Sequence, residues 1–350
     1  MGSGHVTRTS SSGFIKKSYP TTFLILFGLF ITMIFIAISA GRYGISVNDV
    51  VKILFSKILP IPKTWDNTME NVVFNLRLPR ITAAIIVGGV LSLSGAAYQS
   101  IFKNPLVSPD LLGVSSGASV GAALAILLNA NMMYIQIGAF LGGILAVFIT
   151  TLIPKLLRNK AAIMLVLAGI IVGGLMSSLL GILKYAADTD TKLAEITYWQ
   201  MGSLAKVSKA NIIQILPAVG ISAITLIAMR WKMNILSLGE NEARMLGINI
   251  SKTRVLVIIF STILTASSVC VSGTIGWVGL VVPHLGRMLV GPDNTKLIPV
   301  SVLLGSVFML LIDTLARTLT KAEIPLSILT GLIGAPFYFW MLVKQRMSLQ

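Results

Sequence analysis

Apolar runs close to the ~20 residues that a helix needs to cross a bilayer recur along almost the whole chain, separated by short stretches that hold most of the lysines, arginines and acids. They predict membrane spans at 21–40, 79–101, 111–129, 132–153, 161–184, 210–229, 254–272, 275–290, 297–315 and 325–343. The pattern is that of an all-α polytopic membrane protein with ten transmembrane helices. An even number of spans places both termini on one side.

Composition sharpens this reading. Of 350 residues, 55% are hydrophobic and 11% charged, and the mean hydropathy is +0.87, too apolar for the water-facing surface of a soluble protein of this length. The formal net charge of +16 raises the question of nucleic acid. No basic block is interleaved with aromatics, so the excess is read as basic residues that fix membrane orientation and not as a nucleic-acid surface. The loops PKLLRNK, RWK and SKTR, with KK before the first span and KQR after the last, fall on one face, which the positive-inside rule makes cytoplasmic. Asp66, Glu70, Asp188, Asp190 and Glu195 fall on the other, together with a minority of cations that includes Arg42, Lys52, Lys57, Lys63, Arg77 and Arg80. Cys270, the single cysteine, can form no internal disulfide. Residues 1–19 read as a cytoplasmic tail, disordered or tag-derived, because MGSGHVTRTSSSG lacks the apolar core of a signal peptide. Residues 20–345 form the transmembrane domain.

Small residues recur at helix-packing spacing, as at Gly113, Gly117 and Gly121 and at Ala84, Gly88 and Ser92. Lipid gives little hydrophobic drive between helices, so these faces are expected to pack helices closely. The stretch SGAAYQSIFKNPLVSPDLLG faintly echoes SGTIGWVGLVVPHLGRMLVG, a hint of internal duplication.

Four segments carry a resemblance: 76–121, 236–248 (LSLGENEARMLGI), 272–287 (SGTIGWVGLVVPHLGR) and 313–342. In this order they resemble the FecCD transport family, the permeases of type II ABC importers for iron–siderophores, haem and vitamin B12. The resemblance implies a type II ABC importer permease fold in a prokaryotic cell membrane, with N and C termini cytoplasmic. It also implies two ATP-binding subunits, a second permease copy or a paralogue, and an external substrate-binding protein. The chain contains no G-x-x-x-x-G-K-[ST] loop, so ATP and Mg are expected to be used by the partner ATPase, with no cofactor bound by this chain and no catalytic or metal site in it.

The same resemblance assigns roles. Gly239, Glu240, Ala243, Leu246 and Gly247 belong to the coupling segment that contacts the ATPase. Arg77, Arg80 and Arg317 are expected on the outer face, where glutamates of the binding protein dock; the residues alone read as interfacial anchors and, for Arg317, as the partner of Asp313 one helical turn away. Asn104 and Leu106, on irregular backbone broken by Pro105, are nominated as a cytoplasmic gate. Ala161 and Ala162 stand where the cobalamin branch has small hydroxyl residues in a second gate, a departure that lowers the case for cobalamin. Trp199 is a residue of the outer pathway mouth or an interfacial anchor. His284 is read as structural. A secondary transporter would be expected to place ionisable groups within its spans, and none is found at the span centres. The cargo expected first is an iron–siderophore, with haem and cobalamin as alternatives.

Overall fold

The computed structural model describes residues 18–41, 43–158 and 162–347. Among these the chain is helical with no strand, and seven helices are long and apolar enough to cross a membrane. They are α1 (Tyr19–Ser39), α4 (Leu78–Phe102), α6 (Met132–Leu156), α7 (Ala162–Tyr185), α9 (Lys209–Ala228), α12 (Ile250–Ser272) and α14 (Asn294–Thr318). Three further apolar helices, α5 (Val114–Leu127), α13 (Val278–Val290) and α15 (Leu326–Met347), occupy the other expected spans. Between them lie the small helices α2 (Val47–Phe55), α3 (Asn67–Asn71), α8 (Lys192–Met201), α10 (Arg230–Leu238) and α11 (Glu240–Met245). The face where α1 begins and α15 ends is termed the terminal face, and the opposite one the far face.

The bundle is organised around α4. From Val87 to Phe102 every residue is buried, the condition expected of a helix that is apolar or small all round. It packs against α14, α12 and α13, whereas α1, α6, α7 and α9 keep most of their apolar surface outward, as lipid-facing helices do. The closeness of the inner contacts comes from missing side chains. A Cβ on Gly88 would fall on the Gly305 carbonyl of α14, and one on Gly95 would fall on the Gly279 carbonyl of α13. Gly117 and Gly121 of α5 meet Gly142 and Gly138 of α6 in the same way. The small-residue faces of the sequence are therefore helix seams.

Two departures from the expected spans shape the interior. The second span belongs to a continuous helix of 36 residues, Asn67–Phe102, whose stretch Val72–Arg77 is π-helical. Pro79 explains this local widening, since it offers no N–H to the carbonyl four residues earlier and its ring crowds that carbonyl. The third span is shorter than expected. At ~1.5 Å per residue, the 14 residues of α5 rise only about 21 Å, short of a ~30 Å hydrocarbon core. The balance is a re-entrant segment, 103–113, that climbs from Lys103 through a 3-10 turn at Pro109–Leu112. Alpha13 is likewise preceded by non-helical residues, 273–277, and the two breaks meet where Pro109 Cδ lies beside Gly279.

If the α4–α13 seam depends on the missing side chain, Gly95→Ala should lower the thermal midpoint in detergent by an amount matching ~1–3 kcal/mol of overpacking. Gly174→Ala, at a position with open space around it, should leave the midpoint unchanged.

Candidate functional site

At the far face, three arginines converge on one carboxylate and one helix end. The last four carbonyls of a helix have no partner within it. At α1 those carbonyls point toward two guanidinium groups. Arg77, at the end of the π-helical turn, donates to the carbonyls of Ile38, Ser39 and Tyr43, while Arg317 of α14 donates to Ala37 and, at 2.8 Å, to Ala40. Arg317 also lies 3.3 Å from Asp313, and Arg80 reaches the other oxygen of Asp313 at 2.8 Å. The remaining edge of Arg80 holds Glu323 through two bonds of 2.9 Å.

This corrects the expectation of three exposed arginines. Arg77 and Arg317 are each 6% exposed, and the Arg80 side chain is 11% exposed. The reason is that Asp313, 1% exposed, would be an uncompensated buried charge without them, and the end of α1 would leave carbonyls unpaired beside the membrane. The reading of Arg317 as the partner of Asp313 is the one that matches. Among the described residues the exposed cations at this face are lysines, with Lys57 and Lys63 both bound at 2.9 Å to Glu70.

Also at the far face, the carbonyl end of α8 is tied down. Thr274 and Ser327 hydroxyls donate to Gln200 and Met201, and the Leu326 amide donates to Gly202 at 3.1 Å. The far-face ends of α12 and α15 are thereby fastened to one short helix. Trp199 on that helix is half-buried and lines a cavity of about 390 Å³ with Tyr198, Glu195, Lys206, Cys270 and Glu323.

At the terminal face, α10 and α11 carry the segment 236–248. Gly247, at φ +74, ends α11 in the left-handed region, and the Ile248 amide closes the turn on the Ala243 carbonyl. Ala243 is buried completely, whereas Leu238, Met245 and Leu246 are 67%, 82% and 55% exposed. Ala243 thus packs inward and not on the contact surface expected of it, while Met245, which the sequence does not single out, joins Leu238 and Leu246 on the outward side. Gly239 is extended and introduces α11. The side chain of Glu240 lies outside the described residues.

Behind this segment a polar network runs inward. Asn234 of α10 donates to Asp293 at 2.6 Å and accepts from the Asn294 amide at 2.7 Å, and Ser100 of α4 donates to Asn294 at 2.7 Å. Burial raises the Asp293 carboxyl, but hydrogen bonds from Thr295 and Asn234 outweigh it and hold the group below the usual carboxylate range.

The expected gate turn is ordered by its own chemistry. Lys103 is left-handed at φ 51, and Asn104 Oδ1 accepts the Leu106 amide at 2.9 Å, leaving both Asn104 and Leu106 exposed. Ala162 opens α7; its side chain and the whole of Ala161 lie outside the described residues. His284 is 8% exposed in the middle of α13.

The family model of the FecCD transport family matches residues 29–344. The chain belongs to that family. It is a permease of the type II ABC importer class and a multi-pass protein of the cell membrane. This FecCD permease is 40% identical over 332 residues to the molybdate import system permease protein MolB of Haemophilus influenzae, covering 94% of this chain and 97% of that protein. It is 38% identical to a probable iron chelatin transport system permease protein of Helicobacter pylori, covering 80% of this chain and 85% of that one. Among solved structures, an inward-facing conformation of a putative metal-chelate type ABC transporter superposes with a TM-score of 0.84 at 39% identity, covering 93% of this chain and all of that one.

Removal of one partner from a buried ion pair costs ~3–5 kcal/mol. Asp313→Ala should therefore lower the thermal midpoint of this permease sharply, whereas Glu70→Ala, at a partly exposed surface pair, should leave it nearly unchanged.

Proposed function

We propose that this permease carries an iron–siderophore complex from an external substrate-binding protein to the cytoplasm, with the terminal face in the cytoplasm and two partner ATPases bound there. The family match across nearly the whole chain carries the importer reading, and the metal-chelate and iron-chelatin relatives support the cargo. Molybdate is the second reading, favoured by the relative that is 40% identical along almost its full length. Haem and cobalamin remain the other members of the cargo panel.

In this reading Leu238, Met245 and Leu246 seat in the ATPase. Gly239 and Gly247 bound the short helix that takes the push, Ala243 fastens it to the permease, and Glu240 completes the contact. Asn234, Asp293 and Asn294 pass displacement to α14 and α4, whose seam is too close to slide. Asn104 and Leu106 close the pathway at the terminal side with Ala161 and Ala162, and Trp199 stands at its outer mouth. Arg77, Arg80 and Arg317 serve docking from beneath the surface, by fixing α1 and the Glu323 loop on which the binding protein would rest. The assembly holds a second permease, the same chain or a paralogue.

The deciding experiment reconstitutes the permease with its ATPase in lipid and measures ATP hydrolysis against binding proteins loaded with ferric siderophore, haem, cobalamin or molybdate. Stimulation by the siderophore-loaded protein is expected. Stimulation by the molybdate-loaded protein alone would replace the cargo, and none by any would overturn the importer reading.

Leu246→Asp places a charge in the proposed ATPase contact at an exposed position. It should abolish stimulated hydrolysis while membrane insertion and thermal midpoint stay at the parent level. Asn234→Ala should keep ATPase binding and lower the stimulation, because it breaks the link behind that contact.

A further inference from the structure

Asp110 belongs to neither the far-face ion cluster nor the terminal-face polar network. It sits in the re-entrant segment, on the 3-10 turn Pro109–Leu112, and it is exposed. Its depth follows from its neighbours. A Cβ on Gly169, seven residues inside α7, would fall on the Leu111 carbonyl. At ~1.5 Å per residue this puts the turn about 10 Å from the terminal end of α7. Pro109 touches Gly279, which is eleven residues from the terminal end of α13, and Gly113 lies against Gly173 and Ala146. Asp110 is therefore within the hydrocarbon layer, not at its border.

Its partners are few. The Ser115 hydroxyl donates to Asp110 Oδ1, and among the described residues Asp110 makes no ion pair. A role as mere helix-end charge at the start of α5 is too weak to explain this, since such an interaction is worth ~0.3–1 kcal/mol. Placing an aspartate in lipid near mid-membrane costs ~2.5–3.5 kcal/mol even on insertion scales. Irregular backbone at membrane depth is tolerated only inside protein or along a water-filled cavity. An exposed carboxylate without a cation on such backbone meets the second condition.

We infer that Asp110 lines the translocation pathway on its terminal side, where its fixed negative charge favours cargo bearing positive or no charge over free oxyanions. This rests on the permease reading and adds to it a residue that bears on selectivity. The charge acts on whatever passes, so its effect is on passage and release and not on capture by the binding protein.

The test needs no cargo. In full-length permease assembled with its ATPase in lipid vesicles, with Cys270→Ala as background, Ser115→Cys beside the carboxylate is labelled by cationic and anionic methanethiosulfonate reagents added at the terminal side. The cationic reagent should react about tenfold faster than the anionic one, and Asp110→Asn should erase that preference. Both should react far faster than at Phe148→Cys, an exposed position on apolar α6. Should the Ser115 variant not assemble, Asp110→Cys against Phe148→Cys reads the same accessibility. Labelling no faster than at Phe148 would place Asp110 against lipid or a sealed contact and overturn the inference, as would equal rates for the two reagents with Asp110 intact. Neither result touches the importer reading, which stands or falls on stimulated ATP hydrolysis.

Discussion

In hydrocarbon no water is available to backbone N–H and C=O groups, so a spanning segment that leaves the helix must find protein or a wet cavity to cover it. This permease leaves the helix at membrane depth at two places, 103–113 and 273–277, and the arrangement around α4 follows from having to enclose them. Pro109 rests on Gly279, Gly279 rests on Gly95, and Leu111 rests on Gly169. A side chain at any of these glycines would hold the neighbouring backbone away and open the break to lipid. The burial of α4 from Val87 to Phe102 is the result of three helices and a re-entrant loop closing over it.

The two ends of that core are tied by different chemistry. At the far face the ties are charged: Arg77 and Arg317 close the carbonyl end of α1, and Asp313 joins Arg317 to Arg80. Alpha1 also packs along α14, with Met33, Ala37 and Ile38 in the core, and these bonds fasten its far end to the same helix. At the terminal face the ties are neutral amides and hydroxyls around one carboxylate, running from Asn234 through Asp293 and Asn294 to Ser100. Both networks end on α4 and α14, the pair whose Gly88–Gly305 seam permits least sliding. A displacement at the terminal face would thus reach a rigid pair whose other end is clamped at the far face.

Hydropathy alone located the ten apolar spans, because each is long and most sit between charged loops. The expected starts of two spans, 111 and 275, fall three residues before α5 and α13, because hydropathy does not register that residues 111–113 and 275–277 are not α-helical. The exposure of Arg77, Arg80 and Arg317 was misread for a related reason. Sequence shows a guanidinium near a span end but not the carbonyls of Ala37 to Tyr43, 34 to 280 positions away, that turn it inward. Ala243 was assigned to the outward contact and Met245 was not singled out because α11 is only six residues long, too short for periodicity to fix its buried face. Asp110 escaped notice as the residue just outside a span; the signal available was its pairing with Pro109 ahead of a short, glycine-rich helix.

The break in the third span and the charge it carries are connected. A continuous helix through residue 110 would turn that position toward neighbours chosen by its periodicity, all of them packing helices. The re-entrant turn instead frees one side chain from those contacts, and an acid there is tolerable only while water reaches it. A pathway that closes by expelling water must then either bring a cation to Asp110 or leave the carboxylate with its Ser115 bond alone, an unfavourable state in low dielectric. The carboxylate therefore opposes closure and favours hydration at this level, which would couple it to the gate proposed at Asn104 and Leu106.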